Sequence, residues 1–166
     1  MSRQPVILKT APNVNVRHIA DAFRDVAWNM RDHHPEYVPR PVVSLANGAF
    51  SLELYLKSLN AALTLGNKIH GESTVLRRGH DPSKLYDALY APVRAYLDGK
   101  YASCPLSAKH PNFRAVLAVY DGVFEDQRYV FEGNYDALTT GQYADLLALL
   151  DFMHETILWM DPIHLP

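Results

Sequence analysis

Between Ser44 and Leu63, the apolar residues Leu45, Ala49, Leu52, Leu56, Leu59 and Leu63 step by 4, 3, 4, 3, 4. That spacing predicts a helix packed along a bundle seam. The predicted helix starts near Val42 and runs to Leu65, where Gly66 supplies a C-terminal stop. Phe50, Leu54, Ala61 and Leu65 project onto a second, nearly opposite flank. Between the two flanks runs a narrow polar stripe of Glu53, Lys57, Asn60 and Thr64. Glu53 and Lys57 stand one helical turn apart with the acid on the N-terminal side, the favoured order for an intrahelical pair.

The remaining chain divides in the same way. Residues 1–13 contain Pro5 and Pro12 and read as an extended arm. A first helix is predicted from Val14 to Arg31, capped by Asn13 or Asn15. Ile19, Phe23, Val26 and Met30 form its expected buried face, and Arg17 and Asp21 a supporting pair. Residues 32–41 carry three prolines and read as a loop, and residues 66–80 as a longer polar connection. Asp81-Pro82 marks a helix start, an acidic N-cap followed by proline at the first helical position. Pro92 divides that region into a short helix to Tyr90 and another from Pro92 to Leu97, followed by a loop over 98–111. Phe113, Leu117, Tyr120, Phe124, Gln127 and Phe131 repeat the seam spacing and predict a long helix from Asn112 to Phe131. A last helix is predicted from Thr140 to Met160.

Strand signals are weak throughout, and Val6-Ile7-Leu8 is too short to read as one. The pattern predicts an all-α fold, an up-and-down bundle of four to five long helices with short extra helices. At 166 residues, one domain is expected over 1–166. Hydrophobic residues make up 48% and charged residues 20%, the balance of a globular chain with a real core. The net charge of −2 argues against a surface-wide basic field for nucleic acid, though not against a local groove. The N-terminus lacks the pattern of a secretory leader, and no apolar run reaches membrane-spanning length. With Cys104 as the single cysteine, a cytoplasmic protein without a membrane partner is expected.

Candidate chemistry lies in the charged stripes. Arg114, Asp121, Glu125, Arg128 and Glu132 project together beside the apolar seam of the predicted Asn112–Phe131 helix. Arg128 thus stands among acids, and an arginine is suited to a bidentate grip on carboxylate or phosphate. An intrahelical charge network satisfies the same pattern, and Gln127 in the seam reads as a register-setting residue. The histidines give no metal-ligand spacing. His33 and His34 are adjacent, and His154-Glu155 is followed by Leu158 where a zinc-protease motif needs its second histidine. No metal site and no cofactor are expected. Cys104 shows no activating surroundings, and neither a nucleotide-binding glycine motif nor a serine nucleophile elbow occurs.

Three segments together resemble one family. They are Ala49-Phe-Ser-Leu-Glu53-Leu-Tyr-Leu-Lys57-Ser-Leu in a long helix, Gly79-His80-Asp81-Pro82-Ser-Lys-Leu85-Tyr-Asp-Ala-Leu89 opening the next, and Phe124 followed by Arg128-Tyr129 and Glu132. In this order and at this separation they resemble the HEPN (higher eukaryotes and prokaryotes nucleotide-binding) superfamily, in particular its bacterial members, over residues 15–160. The resemblance implies a helical bundle, often a homodimer. It implies a nucleotide or RNA ligand and, for many members, ribonuclease activity as a toxin paired with a nucleotidyltransferase-like antitoxin.

The ribonuclease members carry an arginine followed after four to six residues by a histidine. Here Arg128 has Gly133, Asn134 and Tyr135 at those offsets. No catalytic residue is assigned, and the chain is expected not to be an enzyme of that kind. The leading expectation is a non-catalytic module that binds a nucleotide, a nucleic-acid segment or a protein partner. Glu53, Lys57, His80, Arg128, Tyr129 and Glu132 are its ligand-binding candidates, with Arg77 and Arg78 near one end. A ribonuclease or toxin with a displaced histidine is the alternative, and a structural homodimer a third.

Overall fold

The computed structural model describes residues 8–32, 39–59, 62–64, 79–128 and 140–164. The fold is all-α, a bundle whose long members are α1 (Val14–Asp32), α2 (Pro39–Ser58) and α8 (Thr140–Leu158). Between α2 and α8 come the shorter α3 (Pro82–Asp87), α4 (Ala91–Tyr101), α5 (Pro105–Lys109), α6 (Phe113–Ala118) and α7 (Val123–Arg128). Three short strands, β1 (Leu8–Thr10), β2 (Ala62–Thr64) and β3 (Ile163–His164), form a small antiparallel sheet in the order β2-β1-β3.

Helix α2 is the centre of the bundle and packs against α1, α3, α7 and α8. The seam residues Leu45, Ala49, Leu52, Leu56 and Leu59 are all buried, as their spacing predicts. Close approach on the α1 side is made by small residues. Ser51 Oγ donates to the Ala20 carbonyl at 2.8 Å and Ser44 Oγ to the Ala27 carbonyl at 2.5 Å. Ala20 and Ala27 are 0% exposed. On the α8 side, Gly48 lets Leu146 and Leu150 sit against the α2 backbone; a Cβ there would lie 3.0 Å from Leu146 Cδ2.

This packing corrects the reading of α1. Ile19, Val26 and Met30, expected inside, are 50%, 37% and 38% exposed. The helix turns its alanines to α2 because only small side chains allow the two serines to reach α1 carbonyls. Its cap is as expected, with Asn13 Oδ1 accepting from Val16 N at 3.1 Å.

The predicted end of α2 at Leu65 is also corrected, since the helix stops at Ser58 and residues 62–64 form β2. The preceding chain intercepts the last carbonyls. Asn13 N donates to Ser58 O at 2.8 Å and Thr10 Oγ1 to Leu59 O at 3.4 Å. Ser58 Oγ folds back on Tyr55 O at 2.7 Å, a local bond that competes with helix continuation. The expected arm therefore contributes a strand at Leu8–Thr10.

The single long helix expected over Asn112–Phe131 is two short ones. Asn112 caps α6 by accepting from Ala115 N at 3.0 Å. The chain then turns through 119–122, with Gly122 at φ 75°, a conformation that disfavours a side chain. The predicted loop over 98–111 holds the end of α4 and all of α5, whose start is set by Pro105.

Candidate functional site

The site is built where the start of α3 meets α2 and α7. Pro82 opens α3 at its first position, but Asp81, although it occupies the N-cap, makes no side-chain cap. That work falls to Asp121, from the turn between α6 and α7. Its carboxylate accepts from Ser83 N at 2.9 Å and from Ser83 Oγ at 2.5 Å. A distant residue thus anchors the α3 N-terminus, and the anchor fixes the chain at Gly79-His80-Asp81.

So held, His80 reaches α2. Its Nδ1 lies 2.8 Å from Glu53 Oε2, while Lys57 Nζ lies 2.5 Å from Glu53 Oε1. Glu53 is 1% exposed. A carboxylate at that depth needs compensation at both oxygens, and here each oxygen has a cationic or ring N–H partner. The far nitrogen of His80, Nε2, faces Glu125 Oε1 of α7 at 3.6 Å. The imidazole therefore stands between a buried carboxylate and an exposed one, with its side chain 36% exposed.

An aromatic row adjoins it. Phe23 meets Phe50 edge-on at 4.7 Å, Phe50 stacks on Phe124 at 4.5 Å, and Phe124 lies 5.7 Å from the His80 ring. All four rings are partly exposed. The row gives the charged cluster an apolar wall.

Of the residues singled out in the sequence, Glu53, Lys57 and His80 come together in this way. Arg128 closes α7. Tyr129, Glu132, Arg77 and Arg78 lie outside the described residues. Among the described residues, the charged stripe expected around Arg128 is divided between two helices, with Arg114 on α6 and Glu125 on α7. Arg114 instead grips Asp87 with two bonds of 2.7 and 2.6 Å, and Asp121 is taken up in capping α3. Glu125 of that predicted stripe faces His80 instead.

Two further histidine–carboxylate pairs were not legible. His154 Nδ1 lies 2.8 Å from Asp21 Oδ1, which also accepts from Tyr55 Oη at 2.6 Å. Burial works to raise the Asp21 pKa. The bonds from Tyr55 and His154, with the charges of His154 and Arg17, outweigh it and leave the carboxyl below its ordinary value. His110 Nε2 lies 3.0 Å from Asp145 Oδ2, with Lys109 Nζ at 2.6 Å from the same oxygen. Asp145 is lowered in the same way, against burial, by Lys109 and His110.

Among the described residues, no group of three or more histidine, cysteine or acidic side chains is placed to hold a metal ion. No described helix is long and apolar enough to cross a membrane. No protein-family model, curated protein or solved structure matches the chain.

Proposed function

We propose that the chain is a HEPN-like helical module of the cytoplasm that binds a nucleotide or a nucleic-acid segment at the Glu53–His80 cluster. The observation that carries this reading is the convergence of Glu53, Lys57 and His80 beside the row Phe50–Phe124. Bases offer amino and imino N–H groups that a carboxylate such as Glu125 accepts, and their rings pack on aromatic walls. Lys57 brings the one described cation of the cluster, at its α2 edge. Two acids against one lysine favour contact with a base edge over contact with a bare phosphate.

The test is a thermal-melt series with the common nucleotides and short single-stranded RNA. A ligand that binds only the folded state raises the melting temperature in a concentration-dependent way. The shift should be lost in Glu125→Ala and reduced in Phe124→Leu. A melt unmoved by every nucleotide and RNA, at millimolar concentration, rejects the proposal.

One observation favours a second reading, a ribonuclease, as in a toxin held by a nucleotidyltransferase-like antitoxin. His80 has a buried carboxylate on Nδ1 and its other nitrogen toward the exposed Glu125, and a carboxylate on Nδ1 is the arrangement that orients a general base. RNA cleavage by the pure protein, abolished in His80→Ala, would select it over the binding module.

A further inference from the structure

We propose that the hollow between α6 and the first turns of α8 binds a small monocarboxylate with a short apolar tail. It shares no residue with the Glu53–His80 cluster, so the two sites stand or fall separately.

Local sequence assembles the mouth of this hollow. Pro111 holds His110 out of the helical region, so α5 ends at Lys109 and α6 starts afresh behind Asn112. Lys109, His110 and Asn112 therefore fall within one short link. His110 is fixed through both backbone groups. Its N–H donates to Leu106 O at 2.8 Å, and its carbonyl accepts from Tyr101 Oη at 2.9 Å. Its Nε2 and Lys109 Nζ meet Asp145 Oδ2 of α8 at 3.0 and 2.6 Å. Tyr120 Oη donates to the Gln142 carbonyl at 2.8 Å, which ties the chain after α6 to the start of α8.

The space so framed measures about 260 Å³. At about 30 Å³ for each water it has room for roughly nine non-hydrogen atoms, too few for a nucleotide. Ala115, Val116, Val119 and Tyr120 line it with apolar surface. Val119 is 40% exposed, and a hydrocarbon tail would cover it. The polar groups at the mouth are rich in donors. Lys109 Nζ carries three N–H groups and places one on Asp145. Asn112 Oδ1 is taken by Ala115 N, while Nδ2 makes no bond among the described residues. In its protonated form the His110 ring adds Nδ1 as a donor. A carboxylate only accepts, and so matches this set. Asp145 Oδ2 already takes two donors, which weighs against a ligand cation. A doubly charged phosphate would meet a single lysine, already shared with Asp145, and an apolar wall.

Titration of the full chain with benzoate and with the straight-chain acids from butanoate to octanoate tests this, up to about 10 mM at constant ionic strength. The NMR shift of the Ala115 methyl group reports occupancy. A saturable shift is expected with at least one of these acids, and the matched alcohol should bind at least tenfold more weakly. Lys109→Met should weaken the best acid about tenfold or more. Val119→Trp, which fills the hollow from its apolar wall, should abolish binding and remains decisive should Lys109→Met unfold by circular dichroism. No saturable shift with any of these acids overturns the proposal. So does an alcohol, an alkylammonium or inorganic phosphate that binds as well as the best acid, or binding indifferent to both variants.

Discussion

His80 and Glu53 meet at 2.8 Å across 27 residues of sequence, and the carboxylate of the pair is almost wholly removed from solvent. The histidine side chain stays 36% exposed and Lys57 20% exposed. Burial is therefore one-sided, and the energetic consequences of breaking the cluster depend on which partner is removed.

Deleting the carboxylate leaves Lys57 and His80, side chains that both still reach water. Glu53→Gln, which keeps the shape and one acceptor, should cost about 1 kcal/mol. Replacing both partners, Lys57→Met with His80→Phe, strands a charged carboxylate in the core. That double variant should cost about 3 kcal/mol or more. Urea unfolding of the two variants checks the order, and equal losses would show that the pair is not buried in solution.

The N-terminus of α3 gives a second test. Because Asp121, not Asp81, accepts from Ser83 N, Asp121→Ala should destabilise by about 1 kcal/mol, the usual worth of a cap. Asp81→Ala should change stability by less than half of that. The same Asp121→Ala change should shift the His80 ring resonances, since the cap fixes the segment that carries them.

Acid sensitivity follows from Asp21 and Asp145. Both have folded-state pKa values below the ordinary carboxylate value, so the unfolded chain binds protons at these sites more readily. The stability they supply is fully present above the unfolded value of about 4 and is lost as the pH falls through the lower folded values. Asp21→Asn should therefore lower stability at neutral pH and flatten its acid limb. Unfolding curves from pH 7 down to pH 3 report both effects.

At Gly48 the closeness of Leu146 sets a size limit. Gly48→Ala gains about 1 kcal/mol of helix propensity and sets a Cβ 3.0 Å from the Leu146 Cδ2, so the leucine must give. The net change should stay within about 1 kcal/mol. Gly48→Val adds branches with nowhere to go and should destabilise by about 2 kcal/mol or more. Melting both variants distinguishes a tight helix contact from a loose one.

Periodicity revealed the helices, and in α2 it also revealed the buried face. It failed in α1 because Ile19, Val26 and Met30 form the greasier stripe, whereas the close α1–α2 contact selects for small residues and for serines that can bond across. Hydrophobic amplitude carries no information about such a contact. The break between α6 and α7 was similarly hidden, because Phe113 to Phe131 keeps its seam spacing straight through Gly122. The end of α2 is set by Thr10 and Asn13, which come from more than forty residues upstream, and no local signal announces them. In the site, the oriented Glu53–Lys57 pair was legible as a polar interruption. That His80 completes it depends on a cap from Asp121, a tertiary relation without a spacing rule.

The small sheet has a consequence for how the chain is made. Its middle strand, Leu8–Thr10, is synthesised before its neighbours, and one of these, Ile163–His164, follows only after every described helix has been completed. On the ribosome, residues 8–10 can pair on the Ala62–Thr64 side while the edge facing β3 stays open. That edge is a row of unsatisfied amides and carbonyls, available to any extended segment that passes. The nascent chain therefore carries a temporary strand-acceptor that Ile163–His164 covers once it has emerged, so strand pairing and not helix packing alone closes the fold.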